Sequence, residues 1–302
     1  MAFTAKDVMA LREKTGAGMM DCKKALTDAD GDMQKASELL RERGIAKAEK
    51  KASRIAAEGI VLGYVEGKVG VLVEVNCESD FVANGPKFHD LVLNIAKQIA
   101  QRKPVTVEEL LAQEYVGEAG KTVETYVKEQ VAVIGEKISV RRFVVRESDG
   151  YQTTYVHLGG KLGVLLEVSS DEVTDAVKQT AHDITLQIAF TKPAYLCQAD
   201  VPAEAVAKEK EILKEQAINA GKKPEIAEKM VAGGIRKFYQ ENCLLDQAFI
   251  KDDKKTIAAI VKAAGSNMSV VSYSFYVMGE GLEKKKEDLS AEVAKQVEKM
   301  KQ

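Results

Sequence analysis

The sequence predicts an α+β protein in which a helical N-terminal domain precedes a duplicated core of antiparallel sheets and helices. Two observations carry this prediction: the apolar spacing changes from helical to alternating near residue 59, and one glycine-framed strand pattern occurs twice. In addition, the second copy contains a charged helical segment that the first copy lacks. The predicted units are a three-helix domain with a basic linker at 1–54, core subdomains at 55–147 and at 148–193 with 240–279, an inserted antiparallel helical hairpin at 194–239, and a C-terminal helical module at 280–302.

Three short helices are expected in the first fifty residues. The residues suited to begin or end them are, in order, Thr4, Gly16, Gly18, Asp32 and Gly44. Helical spacing predicts that the second helix buries Met19, Cys22 and Leu26. The strongly basic segment 46–59 is expected to continue as a helical tether into the core.

The pattern GKVGVLVEV at 67–75 recurs as GKLGVLLEV at 160–168, displaced by 93 residues from Gly67 to Gly160. Both differences between the copies exchange one apolar residue for another. Each copy is followed by a matching helix, which ends in QIAQRKP at 98–104 and in QIAFTKP at 187–193. The core is therefore predicted to repeat a hairpin, a helix and a return strand, the last at 138–147 and at 268–277.

Further helices are expected between these strands. An amphipathic helix is predicted at 86–103, and a second helical region is predicted at 106–132. In the inserted segment, 203–219 should be helical, and Pro224 suits the first position of a second helix. The apolar residues of that second helix fall along one stripe: Ile226, Met230, Ile235 and Phe238.

Composition limits the classes of function. The 44 basic and 46 acidic residues nearly cancel, whereas a nucleic-acid partner normally requires a basic domain. The four cysteines form no CxxC pair, which argues against a zinc site and against a disulfide-stapled scaffold. No signal-peptide pattern is present, and no apolar run reaches the roughly 20 residues of a membrane span. We therefore expect a cytoplasmic protein that needs no metal or cofactor.

One segment partly matches the P-loop motif of nucleotide-binding proteins. The segment 115–122 ends like a P-loop, but Tyr115 stands at the first glycine position and no strand precedes it. The three histidines, His89, His157 and His182, are dispersed, so no catalytic residue is predicted and the chain is not expected to be an enzyme. Two alternatives stay open: an enzyme that uses this loop for phosphate, and an RNA-binding module that uses the basic stretch Lys47–Arg54.

Two pairs of residues could be buried or could contact a partner. Adjacent helical residues point about 100° apart, so Met19 and Met20 cannot both face one narrow core stripe. Either Met19 packs inside, or one of the pair supplies a soft apolar contact. Phe81 lies just beyond a predicted strand, beside Asp80. It could cover the end of the sheet or be held outward as an interface anchor, and residue chemistry alone does not choose.

Two motifs resemble signatures of the elongation factor Ts family: LREKTGAGMMDCKKAL at 11–26 and EVNCESDFVAN at 74–84. In the second motif Ser79 stands where the family usually has threonine, which keeps the hydroxyl. The likeness covers essentially the whole chain, including KKPEIAEKMV at 222–231. It implies a UBA-like N-terminal domain and a guanine-nucleotide exchange factor for elongation factor Tu, which promotes release of GDP and Mg²⁺.

The resemblance also implies which residues contact elongation factor Tu. In the family an Asp-Phe pair inserts between helices of the Tu nucleotide-binding domain, and a histidine of the second core half contacts the third Tu domain. The residues matched in this way are Ser79, Asp80, Phe81, Val82, Met19, Met20, Lys23, Ile134, Gly135 and His157. The repeat alignment places Tyr64 of the first copy at the position of His157. The hairpin at 194–239 is then a dimerisation or coiled-coil module, and the resemblance allows a homodimer or a two-to-two complex with Tu.

Overall fold

The computed structural model describes residues 3–283. The helices in this range are α1 (Ala5–Thr15), α2 (Met19–Asp28), α3 (Met33–Lys51), α4 (Asp80–Ala83), α5 (Pro86–Arg102), α6 (Val107–Ala112), α7 (Val123–Ile134), α8 (Asp175–Thr191), α9 (Ala203–Asn219), α10 (Pro224–Asn242) and α11 (Ile257–Ala263). The strands are β1 (Glu58–Glu66), β2 (Val69–Cys77), β3 (Ser139–Glu147), β4 (Tyr151–His157), β5 (Leu162–Ser169), β6 (Ala248–Phe249), β7 (Asp252–Thr256) and β8 (Ser269–Val277). The helix predicted within 280–302 lies beyond the described residues, which end in a turn. None of the helices described is long and apolar enough to cross a membrane.

Local sequence explains how the first three helices begin and end. Thr4 and Asp7 form a capping box at α1, since each side chain accepts a hydrogen bond from the backbone N–H of the other. Gly16 ends α1 with a φ of 68°, a conformation that glycine adopts without strain. Asp32 caps α3 as predicted. The small core of this domain consists of Val8, Leu11, Cys22, Ala25, Leu26, Ala29 and Ala36.

The prediction that Gly44 ends the third helix is wrong, because α3 continues to Lys51. A Cβ built at Gly44 would lie 3.1 Å from the Cβ of Ala132 in α7. Glycine therefore serves here to let α3 and α7 pack closely, and it does not cap the helix. The predicted tether at 46–59 is correspondingly shorter, since only its first part is helical and β1 begins at Glu58.

Two three-stranded antiparallel sheets form the core, in the orders β1-β2-β3 and β4-β5-β8. The repeated strand pattern forms the central strand of each sheet, β2 and β5. Both central strands carry a register shift at the corresponding place, between Glu74 and Val75 and between Glu167 and Val168. The predicted repeat is confirmed, because strand order and irregularity coincide in the two copies.

The two sheets pack face to face through residues that the repeat relates. A Cβ built at Gly70 would lie 2.8 Å from Leu165 Cδ1, and one built at Gly163 would lie 2.9 Å from Leu72 Cδ1. Real Cβ atoms do not approach other atoms this closely, so each glycine gives room to a leucine of the opposite sheet. Because Gly70 and Leu72 correspond to Gly163 and Leu165, the interface is approximately twofold symmetric.

Helices cover the outer face of each sheet. α5 and α7 pack on the first sheet, and α8 and α11 pack on the second. The prediction of one helical region at 106–132 is wrong, because a loop closed by a bridge between Glu114 and Thr122 separates α6 from α7. Thr106 and Thr122 each cap the helix that follows them, which explains why two helices form.

The inserted segment forms an antiparallel helical hairpin of α9 and α10, and its predicted helix starts are confirmed. Small residues form the seam between the helices: a Cβ built at Gly234 would lie 2.6 Å from Leu213 Cδ2, and Ala217 and Ala227 are buried. Along the predicted apolar stripe Ile235 is buried. Ile226 and Met230 are 48% and 42% exposed, since the closely packed seam leaves them outside it.

Candidate functional site

The Asp80–Phe81 pair occupies a corner where β2 ends and α4 begins. Cys77, the last residue of β2, is fully buried, and burial raises the pKa of its thiol to about 12, so the thiol is neutral. Ser79 caps α4, and its Oγ accepts a hydrogen bond from the N–H of Val82 at 3.3 Å. The Phe81 side chain is 87% exposed. The alternative in which Phe81 covers the end of the sheet is therefore wrong.

A second segment, which leads into the neighbouring strand β3, supports this corner. Glu136 accepts hydrogen bonds from the backbone N–H groups of Glu78 (3.0 Å) and Ser79 (2.9 Å), and from Ser79 Oγ at 2.5 Å. The carboxylate of Glu78 in turn accepts from the N–H of Lys137 at 2.6 Å. Sequence reasoning missed Glu136, since nothing in its local context separates it from other surface glutamates.

Ile134 and Gly135 directly precede Glu136 and share its segment. Gly135 ends α7 with a φ of 92°, and its carbonyl accepts a hydrogen bond from Lys51 Nζ at the end of α3. Ile134 is partly buried against the first sheet, whereas Gly135 is exposed. Because Glu136 follows Ile134 and Gly135 directly and binds Ser79, the structure brings the candidates at 79–82 and at 134–135 together.

The N-terminal candidates lie at the start of α2. The prediction that Met19 is buried is wrong, because Met19 is 40% exposed and Met20 is 73% exposed. Cys22, Ala25 and Leu26 fill the small core, which leaves both methionines outside it. Lys23 is exposed as well.

A small cleft lies between the N-terminal domain, at the turn before α2, and helices of the core. Thr15 and Gly16, which precede α2, line a cleft of about 240 Å³ together with Lys87 of α5 and Val133 of α7. The cleft therefore lies between the N-terminal domain and the two helices that flank the Phe81 corner.

His157 lies on the second sheet, at the end of β4. Its Nδ1 is 2.8 Å from the hydroxyl of Tyr155, and the neighbouring Leu158 is 73% exposed with a φ of 48°. The alignment of His157 with Tyr64 is wrong. His157 pairs with Leu162 as Glu66 pairs with Val69, because the β4–β5 connection is two residues longer than the β1–β2 turn. The longer connection is what exposes Leu158, a residue that the sequence analysis did not single out.

The P-loop-like segment is folded around its own lysine. Lys121 is 8% exposed, and its Nζ lies 2.7 Å from Glu118 and 2.6 Å from Glu129. Burial alone would lower the pKa of Lys121, but the hydrogen bonds to the two glutamates outweigh it and raise that pKa. Tyr115 stacks on Tyr126, with 4.1 Å between the ring centroids. The ammonium group is therefore already neutralised by carboxylates of the chain itself.

Fold and site together define the class of the protein: a duplicated α+β core that presents an exposed aromatic side chain at the corner between β2 and α4. The family model described as Elongation factor TS matches residues 78–280. The chain is 47% identical over 300 residues to Elongation factor Ts of Clostridium perfringens, covering 97% of this chain and 98% of that protein. It is 44% identical over 305 residues to the protein of the same name from Trichlorobacter lovleyi (97% and 98% covered), and 44% identical over 301 residues to that of Halothermothrix orenii (99% and 100% covered). The chain belongs to the elongation factor Ts family, whose members are translation elongation factors.

Proposed function

We propose that the chain binds elongation factor Tu in its GDP-bound form and promotes release of GDP and Mg²⁺ during translation elongation in the cytoplasm. The observation that carries this proposal is the Phe81 side chain, which is 87% exposed beside the exposed carboxylate of Asp80. A large aromatic that a rigid corner holds in water is typical of an interface anchor. Membership of the elongation factor Ts family supports elongation factor Tu as the partner.

The proposed mechanism needs no chemistry from this chain. If binding energy at the Tu surface is greater in the nucleotide-free state than in the GDP state, linkage requires that this chain weakens GDP binding by the same factor. Phe81 and Asp80 would contact the nucleotide-binding domain of Tu, and the start of α2 and the Ile134–Gly135 segment would extend that contact. His157, with Leu158 beside it, would contact another Tu domain.

A direct test mixes the protein with elongation factor Tu that carries fluorescent GDP and follows its release against excess unlabelled nucleotide. We expect the release rate to rise with the concentration of this protein and then saturate. An unchanged rate at saturating protein would contradict the exchange function.

We further propose that the hairpin at 194–239 supports self-association, which light scattering of the protein alone and with Tu would measure.

The nucleotide-site alternative predicts that the isolated chain binds GDP or GTP. Its lysine, Lys121, is held by Glu118 and Glu129, and a phosphate would have to displace both carboxylates. We therefore expect calorimetry to detect no micromolar affinity for either nucleotide. Micromolar binding by the isolated chain would contradict the non-enzymatic function.

The RNA-binding alternative depends on the basic stretch at 47–54. Lys47 pairs with Asp21 at 2.9 Å, Arg54 pairs with Glu78 at 3.3 Å, and Lys51 donates to the carbonyl of Gly135. These three side chains are bound within the protein, so fewer basic groups of the stretch can contact an RNA backbone. An electrophoretic shift with RNA at physiological salt would support this alternative, and we expect none.

A further inference from the structure

Glu136 meets the Phe81 corner at the place where β2 leaves its sheet. The strand ladders stop at Cys77 and Asn76, so the N–H groups of Glu78 and Ser79 lie beyond the last strand pairs. The Glu136 carboxylate accepts from both N–H groups and from the Ser79 hydroxyl. An ionised carboxylate is an acceptor only, and it is well suited to gather several donors. It therefore fixes the chain at the entrance to α4.

The contact is reciprocal. While Glu136 binds the backbone of residues 78 and 79, Glu78 binds the N–H of Lys137. Lys137 Nζ donates to the carbonyl of Arg54 at 2.8 Å, and Arg54 Nη1 lies 3.3 Å from Glu78. Each of the two segments thus places a glutamate on the backbone of the other, which restricts sliding and rotation more than a single bond would.

The orientation of Phe81 depends on this support because its own side chain packs against almost nothing. With 87% of its side chain exposed, Phe81 gains little orientation from packing. α4 has only four residues, and one helical turn does not hold its own geometry in water. The remaining fixed points are Val82 and Ala83, which pack on the core, and the Ser79 cap, and Ser79 is the residue that Glu136 binds.

We propose that Glu136 is a positioning residue for nucleotide exchange, which holds the Asp80–Phe81 corner in its binding orientation and acts through Phe81. This proposal rests on the proposed exchange function. It also connects the two candidate contact segments of the first sheet, because Glu136 follows Ile134 and Gly135 directly in the chain.

Three substitutions separate positioning from a direct charge contact with the partner. Glu136→Gln keeps the length of the side chain; its carbonyl oxygen can accept from both N–H groups, and its amide can donate to Ser79 Oγ. Glu136→Ala removes every one of these bonds. Glu136→Asp keeps the charge but withdraws it by one methylene. If Glu136 acts by positioning, the Glu136→Gln variant should retain function, and the Ala and Asp variants should lose it. If its charge contacts the partner directly, the Asp variant should be more active than the Gln variant.

The first measurement is stimulated release of fluorescent GDP from Tu, with Glu108→Ala at an exposed position of α6 as the matched control. Glu136→Ala should slow release by at least about tenfold, because it removes three hydrogen bonds and the loss of one charge-assisted bond already corresponds to about tenfold; Glu136→Gln should stay within about twofold. The double variant Phe81→Ala/Glu136→Ala should be no slower than Phe81→Ala alone. Additive losses in the double variant, or a Gln variant as slow as the Ala variant, would overturn the proposal.

The second measurement needs no partner. In Glu136→Ala, the backbone amides of residues 79–83 should exchange with deuterium faster, while the amides of β5 in the second sheet keep their protection. Unchanged exchange at 79–83 would overturn the positioning role. If the unmodified protein fails to release GDP from Tu, the exchange function fails, and the amide measurement still decides whether Glu136 fixes the corner.

Discussion

Phe81 is the residue on which the proposed exchange function depends most directly. Because its side chain is 87% exposed, Phe81→Ala should leave the free energy of unfolding nearly unchanged. We expect the same substitution to weaken the interaction that drives exchange by about 1–3 kcal/mol. Stimulated GDP release should then be slower by roughly 5- to 150-fold. Thermal unfolding and fluorescent GDP release on the same sample measure both quantities. A variant that is strongly destabilised but exchanges normally when folded would exclude the anchor role.

Asp80→Ala is the paired variant at the same corner. Asp80 is exposed and is the first residue of α4, where a carboxylate interacts favourably with the helix N-terminus. Its removal should cost less than about 1 kcal/mol of stability, since exposed charge contacts are weak. A measurable loss of Tu affinity with little change in melting temperature would place Asp80 in the interface.

Residue chemistry could predict that Phe81 follows a strand, but not which way its side chain points. The outward direction follows from α4 being a single turn whose inward positions are already taken by Val82 and Ala83. Glu136 could not be predicted either. It is one of 46 acidic residues, and its partner Ser79 lies 57 positions upstream, so only the folded chain brings them together.

At the scale of elements, the hairpin of α9 and α10 can be separated from the core. The two helices pack mainly on each other. Backbone hydrogen bonds close their base: Tyr195 N–H to the Asn242 carbonyl at 3.0 Å, and Leu244 N–H to the Tyr195 carbonyl at 2.9 Å. Replacing 203–238 by a short glycine-serine link should therefore leave one cooperative unfolding transition. Loss of that transition in a chemical denaturation curve would show that the hairpin is part of the core.

Elements were predictable where their signals are local. Thr4, Asp32 and Pro224 begin helices as the sequence predicts, because capping depends on residues within one turn. Gly44 misled the prediction because its reason is distant: it gives room to Ala132, which is 88 positions away in the chain. The prediction for Met19 failed for another reason. The small core of the three N-terminal helices is already filled, so burial of Met19 would require a wider core.

At the scale of the whole molecule, Glu74 joins the two sheets. It lies fully buried on β2, and its carboxylate accepts from Arg141 Nη1 (2.9 Å), from Arg142 Nε (2.6 Å) and from the N–H of Gly279 (2.8 Å), just beyond β8 of the second sheet. Arg142 also donates to the carbonyl of Val277 at 3.0 Å. The repeat-related residue Glu167 is partly exposed and accepts a bond from Ser272 Oγ at 2.9 Å. The two repeat-related glutamates therefore differ in role: Glu74 links the two sheets, whereas Glu167 accepts a bond within its own sheet.

Glu74→Gln should therefore destabilise the molecule far more than Glu167→Gln, its repeat-related control. Removing one partner of a buried ion pair costs about 3–5 kcal/mol, and we expect the low end because Arg141 and Arg142 keep some contact with water. Glu167→Gln should cost less than about 1 kcal/mol, the usual range for a substitution at a site that keeps water contact. Urea unfolding of both variants at neutral pH measures the difference. Equal losses in the two variants would contradict the special role of Glu74.

The pH dependence of the same comparison tests whether Glu74 is ionised. Burial alone would raise the pKa of Glu74, but the hydrogen bonds from Gly279, Arg142 and Arg141 outweigh it and hold that pKa below its ordinary value of 4.5. A carboxylate whose pKa is lowered on folding contributes stability that is fully present above the pKa of the unfolded chain and is lost as the pH falls through the folded value. The stability gap between the unmodified protein and Glu74→Gln should therefore be constant from pH 7 to about pH 5 and should narrow below pH 4.5. A gap that stays constant down to pH 3 would mean that folding leaves the pKa of Glu74 unchanged, and a gap that widens as the pH falls would mean that folding raises it; either outcome would contradict an ionised Glu74 held by the two arginines.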